Sequence, residues 1–198
     1  YELFGYRFLM DKIVAGGVNV DINDVAGKFI LIEINELRVE LAQLIPAMDL
    51  SSSLEDRIYT AGYLSPQTAE LFGTLGFIGR ASGQDFDVRR DAPYAPYENV
   101  KVKVPIETQG DIASRFWVRY KEINASLKLI EQFIAQLELL PEGDLLASWV
   151  IPDNGRFGLG IVEGWRGEIM TYVEFGRNNA VSRFYPRDPS QFNWEPLE

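Results

Sequence analysis

Charged residues of both signs crowd the run GFIGRASGQDFDVRRDAPYAPY, Gly76 to Tyr97. Arg80, Arg89 and Arg90 alternate with Asp85, Asp87 and Asp91, and glycines bracket Arg80 and Ser82. Glycine frees the backbone for tight or left-handed turns and for close approach to another surface. Two readings are open. One is a salt-bridged structural loop. The other is an interface or cleft segment in which Arg80, Ser82, Gly83, Asp87, Arg89, Tyr94 and Tyr97 meet a partner, since arginine and tyrosine are the usual anchors of such contacts. Phosphate binding is not a third, because the spacing is not G-x-x-x-x-G-K-[ST] and no strand leads into the run.

A second group, Arg115, Arg119, Glu122 and Ser126, is spaced by four, three and four residues. On a helix that places all four on one stripe beside the apolar face. It is either a solvated edge or a polar seam turned inward. A third group is Glu163-Gly164-Trp165-Arg166-Gly167. Taken alone it reads as a surface hairpin with an Arg-Gly turn. Other chemistry is excluded by composition. The chain has no cysteine and no histidine, so it cannot supply thiolate or imidazole ligands, a disulfide, or a serine–histidine triad. No Asp-x-Asp-x-Asp-Gly calcium loop is present.

These groups need a scaffold, and the hydrophobic periodicity outlines one. Of the 198 residues, 46% are hydrophobic and 24% charged, a globular balance. Gly16-Gly17 marks a turn. A long helix is expected from about Asn23 to Ile45, with Ile30, Ile34, Leu37, Leu41 and Leu44 on one face, Asp21 or Asn23 as cap and Pro46 as its stop. Short helices should start at Ser51–Ser53 and at Ser65-Pro66. Residues 73–110 read as a long ordered loop, with a strand at Val100–Val104. A second long helix, Asp111 to Leu139, should bury Ile112, Phe116, Ile123, Leu127, Ile130, Ile134 and Leu137, and end at Pro141-Glu142-Gly143. Gly158–Val162, Glu168–Phe175 and Ala180–Tyr185 have the β-prone composition of a small antiparallel sheet. The expected class is α+β: a helical bundle over 1–143, then a β region over 144–198. No apolar run reaches the ~18 residues needed to span a bilayer. The net charge of −10 argues against nucleic acid. Residue 1 is not methionine, which points to a piece of a longer protein.

Taken together, GxxGRASGxxxDxRRDxPYxxY, the helix QGDIASRFWVRYKEINASLKLIEQ (Gln109 to Gln132), GLGIVEGWRGEIMTYVEF (Gly158 to Phe175) and RDPSQFNW (Arg187 to Trp194) form a specific set. Their order and content resemble the large subunit of membrane-bound nickel–iron hydrogenases of the formate hydrogenlyase type. The quinone-site subunit of respiratory complex I is a close relative. The resemblance covers nearly the whole chain.

The resemblance implies hydrogen–proton redox chemistry coupled to iron–sulfur electron transfer. It also implies a nickel–iron centre in the full-length parent, held by two Cys-x-x-Cys pairs that flank this region and are absent from it, so that the chain is inactive alone. Arg166 matches the arginine that projects over the metal, and Glu163 becomes its partner or part of a proton path. Trp165 stands where the family often has proline. Implied partners are an iron–sulfur small subunit and a membrane arm, at the cytoplasmic face of the membrane, with no span in this chain. The alternatives are a complex I-like NADH–quinone subunit without nickel, and a non-catalytic scaffold that binds a partner through Gly76–Tyr97.

Overall fold

Two 26-residue helices form the framework: α1, Asp24–Asp49, and α6, Ile112–Leu137. The computed structural model describes residues 3–5, 9–49 and 52–197. Both long helices begin on a side-chain cap. Asn23 accepts from the Ala26 N–H, and Asp111 accepts from the Ser114 N–H at 2.8 Å, which satisfies donors that the first turn leaves free. Helix α1 does not stop at Pro46. It continues through the proline to Asp49. The break is tolerated because Pro46 lies near the helix end and the Ala42 carbonyl it leaves unbonded sits on an exposed residue open to water.

Between the long helices come α2, Ser52–Ile58, and α3, Pro66–Leu71, the latter capped by Ser65 accepting from the Thr68 N–H. The stretch expected as a loop carries two more short helices, α4 (Gly76–Ala81) and α5 (Val88–Asp91), and a 3-10 turn at Tyr97–Asn99. Val100–Val104 runs extended but pairs with no strand among the described residues. It lies along α6, where the Lys101 N–H donates to Gln132 Oε1 at 3.0 Å and Gln136 donates to the Asn99 carbonyl. Side-chain amides supply the partners that a sheet would have given.

Two antiparallel sheets complete the α+β architecture. Strands β1 (Ile13–Val14) and β2 (Gly17–Val18) make a minimal hairpin. Strands β3 (Phe157–Gly164), β4 (Gly167–Phe175) and β5 (Val181–Arg187) form a meander in the order β3-β4-β5. Pairing of Gly164 with Gly167 leaves Trp165 and Arg166 as the two-residue turn. Helix α7, Ser190–Asn193, follows.

The core is small. Leu64, Ala69 and Ile78 form its apolar centre. The apolar stripe expected to be buried on α6 is only partly so. Leu127 and Ile134 are buried, whereas Ile112, Ile123, Ile130 and Leu137 remain exposed. The neighbours of α6 cover an arc marked by Ala113, Ser114 and Val118, small residues that hydrophobic periodicity does not weight.

Candidate functional site

The site is built where α4, α5, α6 and the β3–β4 turn meet. Two glycines set the closest approach. Gly76, at φ +62°, starts α4 directly against the Arg166 carbonyl, so a Cβ there would overlap backbone. Gly167, at φ +128°, faces Gly76 in turn, and its Cβ would lie 2.8 Å from the Gly76 nitrogen. A β-carbon at either position would force the two backbones apart. Asn193 holds the same junction from the chain's far end. Its Oδ1 accepts from the Leu75 N–H at 2.9 Å and its amide donates to the Leu75 carbonyl at 3.2 Å.

This packing buries Arg80, 2% exposed, at the centre of an ionic cluster. Its Nη1 donates to Glu163 Oε1 and to the Phe86 carbonyl, both at 3.1 Å. Its Nη2 pairs with Glu122 of α6, and Asp87 Oδ2 lies 3.7 Å from Nη1. Asp87, fully buried, caps α5 and is gripped by Arg89 through Nε at 2.9 Å and Nη2 at 2.7 Å. The second oxygen of Glu163 accepts from the Val88 N–H at 3.1 Å. Two guanidiniums therefore serve three carboxylates: Arg80 and Arg89 against Asp87, Glu122 and Glu163.

The electrostatics follow from that inventory. Burial pushes the Glu163 carboxyl above the ordinary glutamate value. The Asp87 charge adds to the rise, while Arg80 and the Val88 N–H oppose it. Burial raises Glu122 as well, against the pull of Arg80. Both glutamates thus hold a proton more readily than in water. They border a cavity of about 400 Å³, lined also by Arg80, Arg89, Arg119, Ser126 and Trp165. Arg119 carries no carboxylate partner among the described residues. Its guanidinium lies 4.7 Å from the Trp165 ring centre and 5.3 Å from that of Phe77. Those two rings stack on each other at 5.8 Å, so Arg119 is held by cation–π attraction.

Trp165 thereby fixes the β3–β4 turn in place of a proline. Arg166 beside it is half exposed, with a loose contact to Asp188 at 3.6 Å. Glu163 does not pair with Arg166, contrary to expectation. Glu163 lies at the end of strand β3 and points to the buried Arg80, while Arg166, in the turn, lies near Asp188. The Gly76–Tyr97 segment divides its charges, with Asp85, Arg90 and Asp91 at the surface and the others turned inward. Arg80, Ser82 and Asp87 are interior. Ser82 donates to the Leu64 carbonyl at 3.0 Å, and Gly83, at φ +84°, lets the chain turn away after α4. Tyr94 places its hydroxyl 3.4 Å from the Glu163 N–H, and it packs edge-on against Tyr97, which packs against Phe133 of α6.

On α6, Glu122 and Arg119 face this site. Arg115 does not: its guanidinium donates to the carbonyls of Gly62 and Gly110, on the α2–α3 side. Phe77, Trp165 and Asn193 are the structural members that sequence reasoning did not assign. The only signal for Trp165 was its departure from the expected proline, and Asn193 had none.

The fold and this junction define the class. The structure resembles a chain of the membrane-bound sulfane sulfur reductase, an archaeal respiratory membrane complex. The TM-score is 0.81 over 93% of this chain and 51% of that one, at 23% identity. Residues 1–156 match the family described as the respiratory-chain NADH dehydrogenase 49 kDa subunit, and the chain belongs to that family. Among curated relatives, the carbon monoxide-induced hydrogenase of Rhodospirillum rubrum is 29% identical over 98% of this chain and 54% of its own length. Formate hydrogenlyase subunit 5 of Escherichia coli (strain K12) is 30% identical over 82% of this chain and 28% of its own. The chain thus spans about half, or less, of the relatives it matches. It is a subunit of the hydrogenase and complex I 49 kDa type. No helix among the described residues is long and apolar enough to cross a membrane.

Proposed function

We propose that this chain is the scaffold portion of a nickel–iron hydrogenase large subunit, carrying residues that surround the metal but none that ligate it. The observation that carries the reading is the β3–β4 turn. Its backbone is locked under α4 by Gly76 and Gly167, and Trp165 is stacked. Arg166 is left half exposed beside a buried, proton-retaining Glu163. A guanidinium stays charged at any working pH and can orient a species bound nearby. The residues present do not fit nickel or iron as ligands. The chain has no thiolate or imidazole, and the described residues hold no cluster of three carboxylates suited to a metal. The ligands must come from other parts of the polypeptide, so the chain alone is inactive.

In this reading the subunit packs against an iron–sulfur small subunit and reaches a membrane arm at the cytoplasmic face. Glu163 and Glu122, both above their ordinary range, are suited to hold a proton near the redox centre. The test uses the full-length protein. Nickel measured by plasma mass spectrometry near one equivalent, with hydrogen-dependent dye reduction, is the expected result. Arg166→Lys should then cut turnover by roughly a hundredfold or more with nickel content unchanged. Full activity in that variant removes Arg166 from the mechanism. Absence of nickel and of hydrogen turnover overturns the hydrogenase reading in favour of a complex I-like NADH–quinone subunit.

A further inference from the structure

The five charged side chains gathered at Arg80 do not balance. Arg80 and Arg89 bring two positive charges, while Asp87, Glu122 and Glu163 bring three negative ones. None is freely solvated. The side chains of Asp87, Arg80 and Glu163 are buried outright, and those of Arg89 and Glu122 are 16% and 15% exposed. A surplus charge is costly in such surroundings, and a carboxylate relieves it by taking up a proton. Arginine has no such recourse, because its guanidinium stays charged.

The other polar groups nearby do not supply the missing charge. Glu168, opposite Glu163 across the β3–β4 pair, is held by Arg187 at 2.9 Å. Arg166 lies near Asp188. Arg119, the remaining cation on the cavity wall, is exposed, makes no ion pair among the described residues and rests over the Trp165 and Phe77 rings. The Tyr94 hydroxyl meets the Glu163 N–H, and burial pushes its phenol up, so it stays neutral.

Hydrogen bonds decide which carboxylates share the surplus, since N–H donors favour the charged form. Asp87 collects three, from Arg89 Nε, Arg89 Nη2 and the Arg89 backbone. Glu163 collects two, and Glu122 has only its contact with Arg80 Nη2. The two glutamates draw on the same guanidinium, so a proton on either one frees Arg80 for the other. We propose that Arg80, Arg89, Asp87, Glu122 and Glu163 form a one-proton store. At neutral pH the five groups hold a single proton, shared between Glu122 and Glu163 and exchanged with water through the cavity that both border. Burial raises both glutamates, in keeping with this assignment. The inference deepens the proton-holding role given to these glutamates above and rests on that part of the reading, while needing no metal.

Infrared spectra of the chain at pH 7 test it through the C=O stretch of a protonated carboxyl. Surface carboxylates, which titrate near ~4, do not contribute to that band. Calibrated against the acid-protonated chain, the band should integrate to one carboxyl group. Either isosteric variant, Glu122→Gln or Glu163→Gln, removes the surplus charge, so each should abolish the band, with folding confirmed by circular dichroism. Arg119→Gln should leave it unchanged. In heavy water the band should shift within the mixing time. No band in the unaltered chain, or one of twice the size, means that the charge count is wrong, and the proposal fails. It fails also if the band survives in one glutamine variant, which would give the proton to a single residue. Growth of the band in Arg119→Gln would make Arg119 the missing counter-ion, and slow exchange in heavy water would close the cluster to solvent; either result overturns the proposal. Nickel content and hydrogen turnover do not enter this count, so the hydrogenase reading stands or falls separately.

Discussion

Replacing Arg80 by methionine keeps much of the side-chain volume and removes the one guanidinium that Glu122 and Glu163 share. Asp87 retains its grip on Arg89 and Glu163 retains the Val88 N–H, so the loss falls on the two glutamates. Breaking a buried pair by deleting one partner costs ~3–5 kcal/mol, and at this chain length that lowers the melting temperature by about 6–20 °C. The cost must depend on pH. Glu163 is raised above its ordinary value of 4.5, so the folded chain keeps that proton to higher pH than the unfolded chain. Stability therefore falls as pH rises from 4.5 through the raised value. Without Arg80 the force opposing the rise is gone, and the fall is steeper. Urea titrations of both proteins from pH 4.5 to 8 check this. The destabilisation by Arg80→Met should be largest at pH 7 to 8 and shrink toward pH 4.5, where the stranded carboxylates are protonated. Adding Glu163→Gln should recover part of the loss at pH 7. A destabilisation under about 1 kcal/mol at pH 7, or one that is flat across the range, would mean the cluster is solvated and the argument is wrong.

Three further outcomes follow from the same geometry. Gly76→Ala should destabilise by roughly 2 kcal/mol or more, because its Cβ meets the Arg166 backbone, which no rotamer change can relieve. Hydrogen exchange should show faster exchange at the Val88 and Glu163 amides. Asp111→Ala removes acceptors for the Ser114 and Thr60 N–H groups, a loss of about 1–3 kcal/mol by thermal unfolding. Burial favours protonation of Asp111, but those N–H bonds outweigh it and hold the carboxyl below its ordinary 3.8. The variant should therefore lose less stability than the parent as pH falls below that value. Arg119→Leu should cost about 0.5–1 kcal/mol, the range for an exposed cation–π contact, and change the near-ultraviolet circular dichroism of Trp165, while Arg115→Leu leaves that signal intact.

The sequence showed the elements whose signals repeat or punctuate. Asp111 and Pro141 bracket α6 because a cap and a proline act locally, and the β-prone composition of the meander announces strands. Helices α4 and α5 escaped because six and four residues contain too little periodicity to read. Pro46 misled because the penalty for a proline depends on what its freed carbonyl meets, which only the fold decides. At the site, residue types were legible and partners were not. Glu163 was matched to its neighbour in sequence, Arg166, yet pairs with Arg80 across 83 positions. No local rule encodes that choice.

The choice becomes intelligible once the two glycines are considered with the charges. An arginine inside a protein needs acceptors that arrive with it, and Arg80 receives one each from α6, the α4–α5 connection and β3. Those elements can converge on a single guanidinium only if α4 and the β3–β4 turn touch backbone to backbone, which is what Gly76 and Gly167 permit. The same contact leaves Arg166 in the turn, where it lies 3.6 Å from Asp188 and 5.8 Å from the Trp165 ring centre. One arginine is thus spent inside as the electrostatic keystone, and the other is held outside on a rigid mount. Under the proposed hydrogenase reading, that division suits an arginine that acts on a group outside this chain, because a fixed backbone holds the base of its side chain in place. Moving the glycines, rather than either arginine, should therefore disturb both roles together.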